Sequence, residues 1–163
     1  MYQTKYLALI NLDEFFIPQH KESLLDVLSS VNNSHIGTLQ FRNVFYSLNN
    51  NKSNLVRQNM TLKKLNSVLL SYTLKELHPC CFARKKLIVL PSLVIRASVH
   101  SVGEQVSSAE IYTIPEGVAQ MHHYRKWRAN DVDYTNDSHV YGWFDQIIRR
   151  LKKARSEIGE EHF

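Results

Sequence analysis

Leu7-Ala8-Leu9-Ile10-Asn11-Leu12-Asp13-Glu14-Phe15-Phe16-Ile17-Pro18 is the stretch on which the fold turns. An apolar run over residues 5–12 has the length of a buried strand. It ends in two carboxylates, after which Pro18 is expected to stop further pairing. Carboxylates at the C-terminal end of a strand stand at the edge where α/β sheets hold ligands. Their hard oxygens suit Mg²⁺ or Mn²⁺, ions that also bridge phosphates. The same two acids also fit a strand end that is merely solvated.

Working outward, His20 to Val31 carries Leu24, Leu25, Leu28 and Val31 at helical spacing, and Asn32-Asn33-Ser34 supplies a turn. Residues 38–47, with Leu39, Phe41 and Phe45, read as a second strand. Leu48 to Asn59 is rich in Asn, Lys and Ser and reads as an exposed loop, a candidate mobile flap. Met60 to Leu77 reads as one helix with Leu62, Leu65, Val68, Leu69 and Tyr72 inward, closed by His78-Pro79. Lys86–Leu90, Leu93–Val99, Glu110–Ile114 and Val118–Tyr124 are strand-like, with Pro115-Glu116-Gly117 as a turn. Trp127 to Asp137 reads as irregular, and residues 139–157 as a closing helix. Alternating strand and helix signals in 163 residues predict one α/β domain spanning 1–163.

Composition narrows the function classes. The net charge of +5 comes largely from Arg149, Arg150, Lys152, Lys153 and Arg155, opposite an apolar face of Phe144, Ile147, Ile148 and Leu151. That pattern fits a solvated helix face with cations near its C-terminal end, and no zinc-finger or glycine-aromatic signature points to nucleic acid. No run of about 18 apolar residues spans a bilayer, and no secretory signal order opens the chain. Cys80 and Cys81 are neighbours, which disfavours a bond between them. Asn32, Asn51, Asn59 and Asn136 each open an Asn-x-Ser/Thr sequon, an excess that suggests a lumenal protein.

Three places bear chemistry near expected strand ends: Asp13-Glu14, His100, and His122-His123-Tyr124-Arg125. An imidazole completes a mixed oxygen and nitrogen shell around Mn²⁺, and an arginine fork neutralises phosphate. These blocks resemble glycosyltransferase family 92. Asn11-Leu12-Asp13-Glu14-Phe15 through Pro18 is similar to its Asp-x-Asp-Glu-Phe…Pro motif. Gln40-Phe41-Arg42-Asn43-Val44-Phe45 resembles the strand that follows. Lys86-Leu87-Ile88-Val89-Leu90-Pro91 with Val99-His100 resembles its Lys-x-Ile-Val-x-Pro…Val-His segment, and His123-Tyr124-Arg125 its His-Tyr-Arg signature.

The resemblance implies an inverting transferase with a GT-A-like mixed sheet flanked by helices. It would use a nucleotide sugar such as UDP-galactose, a divalent metal such as Mn²⁺, and a glycan acceptor. It also implies residence on the lumenal side of Golgi or other secretory-pathway membranes. Asp13 falls on the second motif aspartate as metal ligand, with His123 or His100 as a further ligand. Asn11 and Arg125 are the accompanying candidates toward the nucleotide and its phosphates. Glu76 and Glu104 are candidate bases that no motif singles out. Two departures stand out. Asn11 replaces the first aspartate of the motif, and the motif lies so close to Met1 that the nucleotide-binding N-terminal half is expected to be missing. A non-catalytic glycan-binding or interaction module derived from the family is the alternative.

Overall fold

The computed structural model describes residues 4–20, 23–31, 33–49, 52–78, 84–126 and 133–159. They form a mixed α/β fold with a largely antiparallel sheet and flanking helices, the class expected from the sequence. The chain divides into two compact units, residues 1–45 with 79–123 and residues 46–78 with 124–163.

The first unit is built on strand β3 (Ile36–Ser47), whose residues 36–45 belong to it. On one side β3 pairs antiparallel with β5 (Lys85–Val89), and β5 pairs with β1 (Leu7–Leu9). On its other side the start of β3 runs parallel to β8 (Glu110–Thr113). The hairpin of β6 (Val94–Ala97) and β7 (Val102–Gln105) forms a separate two-stranded sheet. Strand β2 (Glu14–Pro18) pairs antiparallel with β9 (Ala119–Arg125), which also pairs with β3.

Helix α1 (Leu24–Ser30) is opened by a capping box in which Ser23 and Asp26 satisfy each other's backbone donors. Its Val27 and Leu28 enter the core with Leu39, Phe41, Ile88, Ile114 and Met121. Each such side chain, fully removed from water, contributes about 1.5–3 kcal/mol.

The second unit is mainly helical. It holds α2 (Asn54–Gln58), α3 (Met60–Leu65), α4 (Val68–Ser71) and α5 (Phe144–Glu157). A short 3-10 turn (His139–Trp143) precedes α5, and strands β4 (Leu74–Glu76) and β10 (Tyr134–Asn136) pair with each other. Its core is Val56, Leu62, Leu65 and Leu70, against which Phe144, Ile147, Ile148 and Leu151 of α5 pack. The apolar stripe expected on the closing helix is therefore the face that packs.

Several expectations about elements need correction. The opening strand is short and partly exposed, because Leu12-Asp13 turns the chain after Leu9. Pro18 itself still pairs, opposite Ala119, but it is the last residue of β2 and pairing goes no further, as expected of a proline. Within Leu48–Asn59, residues 54–58 are helical where an exposed loop was expected. The single helix expected over 60–77 breaks at Asn66, which adopts the left-handed conformation (φ 49°) and ends α3. Residues 134–136 form a strand where irregular chain was expected. Cys80, Cys81 and Trp127 lie outside the described residues.

Candidate metal centre

The turn that separates β1 from β2 is built by its own polar groups. Glu14 N–H donates to the Asn11 carbonyl (3.3 Å), and Asn11 N–H donates to Glu14 Oε2 (2.8 Å). Glu14 then opens β2 directly opposite His123 of β9 in the antiparallel register, so the two side chains are cross-strand neighbours. Asp13, one residue earlier and still in the turn, approaches the far edge of the same imidazole.

The distances follow from that register. His123 Nε2 is 3.2 Å from Asp13 Oδ2, and His123 Nδ1 is 3.2 Å from Glu14 Oε1. One ligand atom from each of the three residues lies within 4.8 Å of the others. The burial is graded: Glu14 is 1% exposed at its side chain, His123 13% and Asp13 49%. The cluster thus has a dry floor and a solvent-facing rim.

Beneath it stands Lys86 of β5, fully buried, with Nζ 2.9 Å from Glu14 Oε2. A buried carboxylate or ammonium is costly alone, and each removes the other's penalty in part. Glu14 Oε2 is thereby occupied by Lys86 and the Asn11 N–H. Glu14 Oε1 is equally inaccessible to water, and its polar neighbour is His123 Nδ1 at 3.2 Å. The imidazole is flanked by the Phe45 ring (centroids 5.0 Å apart) and by Asn43 Nδ2, 3.5 Å from Nδ1. Phe45 in turn carries Arg84 over its face at 4.3 Å.

Two carboxylate oxygens and an imidazole nitrogen form a donor set of hard and borderline ligands, suited to Mn²⁺ or a similar divalent ion. The structure brings together Asp13 and His123. His100 does not join them; it is exposed in the turn between β6 and β7, with Nδ1 2.9 Å from the Lys85 carbonyl oxygen. Asn11 contributes its backbone to the turn and is exposed. Arg125 belongs to the second unit, where its carbonyl accepts from Leu48 N–H. Glu104 is exposed on β7 and Glu76 is buried on β4 of the second unit.

Sequence reasoning passed over Lys86 and Asn43 as parts of a site. A lysine opening the apolar run Leu87-Ile88-Val89 was the available signal, since a charge there must meet a partner.

The second unit holds a different polar cluster. Asp137 Oδ2 accepts from Lys75 Nζ (2.7 Å) and Tyr46 Oη (3.0 Å), while Oδ1 accepts from His139 N–H (2.8 Å). Burial alone raises the Asp137 carboxyl, but the Lys75, His139 and Tyr46 donors outweigh it and hold the group below the usual carboxylate range. Burial, with the Asp137 charge added, pushes the Tyr46 and Tyr124 phenols far above their ordinary value. Their stacked rings lie 4.9 Å apart.

The family model described as glycosyltransferase family 92 matches residues 1–160 of the chain. No curated protein matches it.

Proposed function

The chain belongs to glycosyltransferase family 92, and from that membership we propose that it binds a nucleotide sugar through a divalent cation held at Asp13, Glu14 and His123. Membership carries the general reading, transfer of a sugar from a donor to a glycan acceptor. The finer reading is transfer from UDP-galactose with inversion in the secretory-pathway lumen. The observation that carries the cation is the cluster itself: a buried Glu14 carboxylate, a half-exposed Asp13 carboxylate and the His123 imidazole, with one ligand atom from each within 4.8 Å of the others. Asp13, Glu14 and His123 would hold the divalent ion, which would supply positive charge to offset the charge developing on the leaving nucleotide.

The chain's own residues do the rest. Lys86 cancels one of the two carboxylate charges in the pocket, leaving the cluster with a net negative charge that a divalent cation overcompensates. This excess of positive charge favours a diphosphate over a neutral sugar. Phe45 and Asn43 fix the imidazole plane, so that the cluster needs little rearrangement to bind. Asp13 sits at the rim, where a donor's phosphates enter, and Glu14 stays on the floor. Asn11, which stands where the family motif has its first aspartate, brings no charge, so its part is limited to hydrogen bonding toward ribose or water.

The substitution at Asn11 also favours a second reading, a glycan-binding module without transfer activity. Calorimetric titration of the full chain with UDP, with and without Mn²⁺, separates the two. Metal-dependent UDP binding that disappears in Asp13→Ala supports the donor site. Glycan binding without metal-dependent UDP binding supports the module, and UDP affinity unchanged in Asp13→Ala refutes the donor site.

A further inference from the structure

We infer that Asn59 is an attachment site for an N-linked glycan, an inference that rests on the lumenal location proposed above. Asn59-Met60-Thr61 is one of four sequons in the chain, and Asn32 and Asn51 lie outside the described residues. The two that remain differ in a way that bears on modification.

Asn59 is exposed and occupies the single residue between α2 and α3, with an extended backbone (φ −111°, ψ 114°). A transferring enzyme must draw the Asn and the hydroxyl two residues on into its own active site. A one-residue break between helices of five and six residues yields to that more readily than a helix interior or a paired strand. Thr61 is exposed in the first turn of α3, on the accessible surface with the amide.

The amide is also already sorted atom by atom. Its Oδ1 accepts from Leu62 N–H at 3.1 Å and caps α3, while no hydrogen bond occupies Nδ2 among the described residues. Glycan transfer uses Nδ2 alone. The nitrogen forms a bond to the anomeric carbon of a lipid-linked oligosaccharide diphosphate, the bond from that carbon to the diphosphate oxygen breaks, and Nδ2 gives one proton to the transferring enzyme. The product keeps Oδ1 as a carbonyl acceptor, so the cap survives modification. The neighbouring Met60, 66% exposed, gains a polar cover.

Asn136 is the less favourable site. It is paired in β10 opposite Leu74, and the next residue, Asp137, is bound by Lys75, Tyr46 and the Thr73 carbonyl. Extracting it breaks a buried network.

The test expresses the full chain behind a cleavable signal in eukaryotic cells. Only molecules in the microsomal fraction that resist added protease are scored. Wild type, Thr61→Ala, Thr61→Ser and Asn59→Gln are compared before and after enzymatic removal of N-glycans, with mass spectrometry of the Asn59 peptide. Thr61→Ala breaks the sequon but keeps the cap, which protects the comparison from misfolding. The expected result is an Asn59 glycan in wild type and Thr61→Ser, absent in Thr61→Ala and Asn59→Gln. Protease-protected wild type with an unmodified Asn59 overturns the inference. The lumenal reading fails separately, if the chain expressed from its own natural gene is found outside protease-resistant compartments.

Discussion

Asp13 and Asp137 are both carboxylates beside a nitrogen base, and they differ in how much of their bonding capacity is used. Asp137 accepts from three donors, among them Lys75 at 2.7 Å, with contacts on both of its oxygens. Asp13 has a 3.2 Å contact to His123 and leaves half of its side chain open to water. Its neighbour Glu14 turns one buried oxygen to Lys86 at 2.9 Å and the other to His123 Nδ1 at 3.2 Å. A saturated cluster is finished as structure, whereas an unsaturated one keeps anionic capacity for something the chain does not supply. The difference separates two similar-looking sets of residues into a fold element and a binding site.

The sharpest way to break this comparison is at Lys86. Lys86→Met leaves the buried Glu14 carboxylate without its ammonium partner, and should cost about 3–5 kcal/mol, read as a fall in the denaturant midpoint. Adding Glu14→Leu should recover most of that loss while weakening Mn²⁺ binding. If the double variant stays as unstable as the single one, the ion pair is not the source of the cost.

Asp137→Ala comes next. Leaving Lys75 and the Tyr46 hydroxyl without their acceptor should cost about 1.5–3 kcal/mol, with Mn²⁺ affinity unchanged. A loss of Mn²⁺ binding in this variant would erase the distinction drawn here. Acid denaturation sharpens it further. Because the folded Asp137 carboxyl is held low, its contribution is present above about pH 4, where the unfolded chain's carboxyl is ionised. That contribution is lost as the pH falls through the lower folded value. Asp137→Asn should therefore be less stable at neutral pH and lose less stability between pH 5 and pH 2, in the order-of-magnitude sense of proton linkage. Equal acid slopes for the two proteins would contradict the assignment.

The smallest stability effect is expected at Asp13. Asp13→Ala removes a half-exposed side chain and should shift stability by no more than about 0.5 kcal/mol. The same change should abolish Mn²⁺ binding. A large stability loss there would make Asp13 a structural residue like Asp137.

The carboxylate turn and the closing amphipathic helix were legible in the sequence because each has a local signal. Asp13-Glu14 follows an apolar run, and Phe144, Ile147, Ile148 and Leu151 recur at helical spacing. The break at Asn66 was hidden, since the apolar period of Leu62, Leu65 and Leu69 continues across a residue that adopts a left-handed conformation. The role of Lys86 was hidden for another reason. Its partner Glu14 lies 72 positions earlier in the chain, and only the β1–β5–β3 pairing beside β2–β9 brings the two to 2.9 Å. The choice between His100 and His123 depended on tertiary register in the same way. Both follow apolar strand signals, and only His123 faces Glu14 across a strand pair.

The most direct test is pulsed electron paramagnetic resonance of Mn²⁺ added to the full chain and to His123→Gln. The wild type should show hyperfine coupling to an imidazole nitrogen, and the variant should lose it while remaining folded. A nitrogen coupling that persists in His123→Gln, or an all-oxygen signal in the wild type, would contradict a cation held between Asp13, Glu14 and His123.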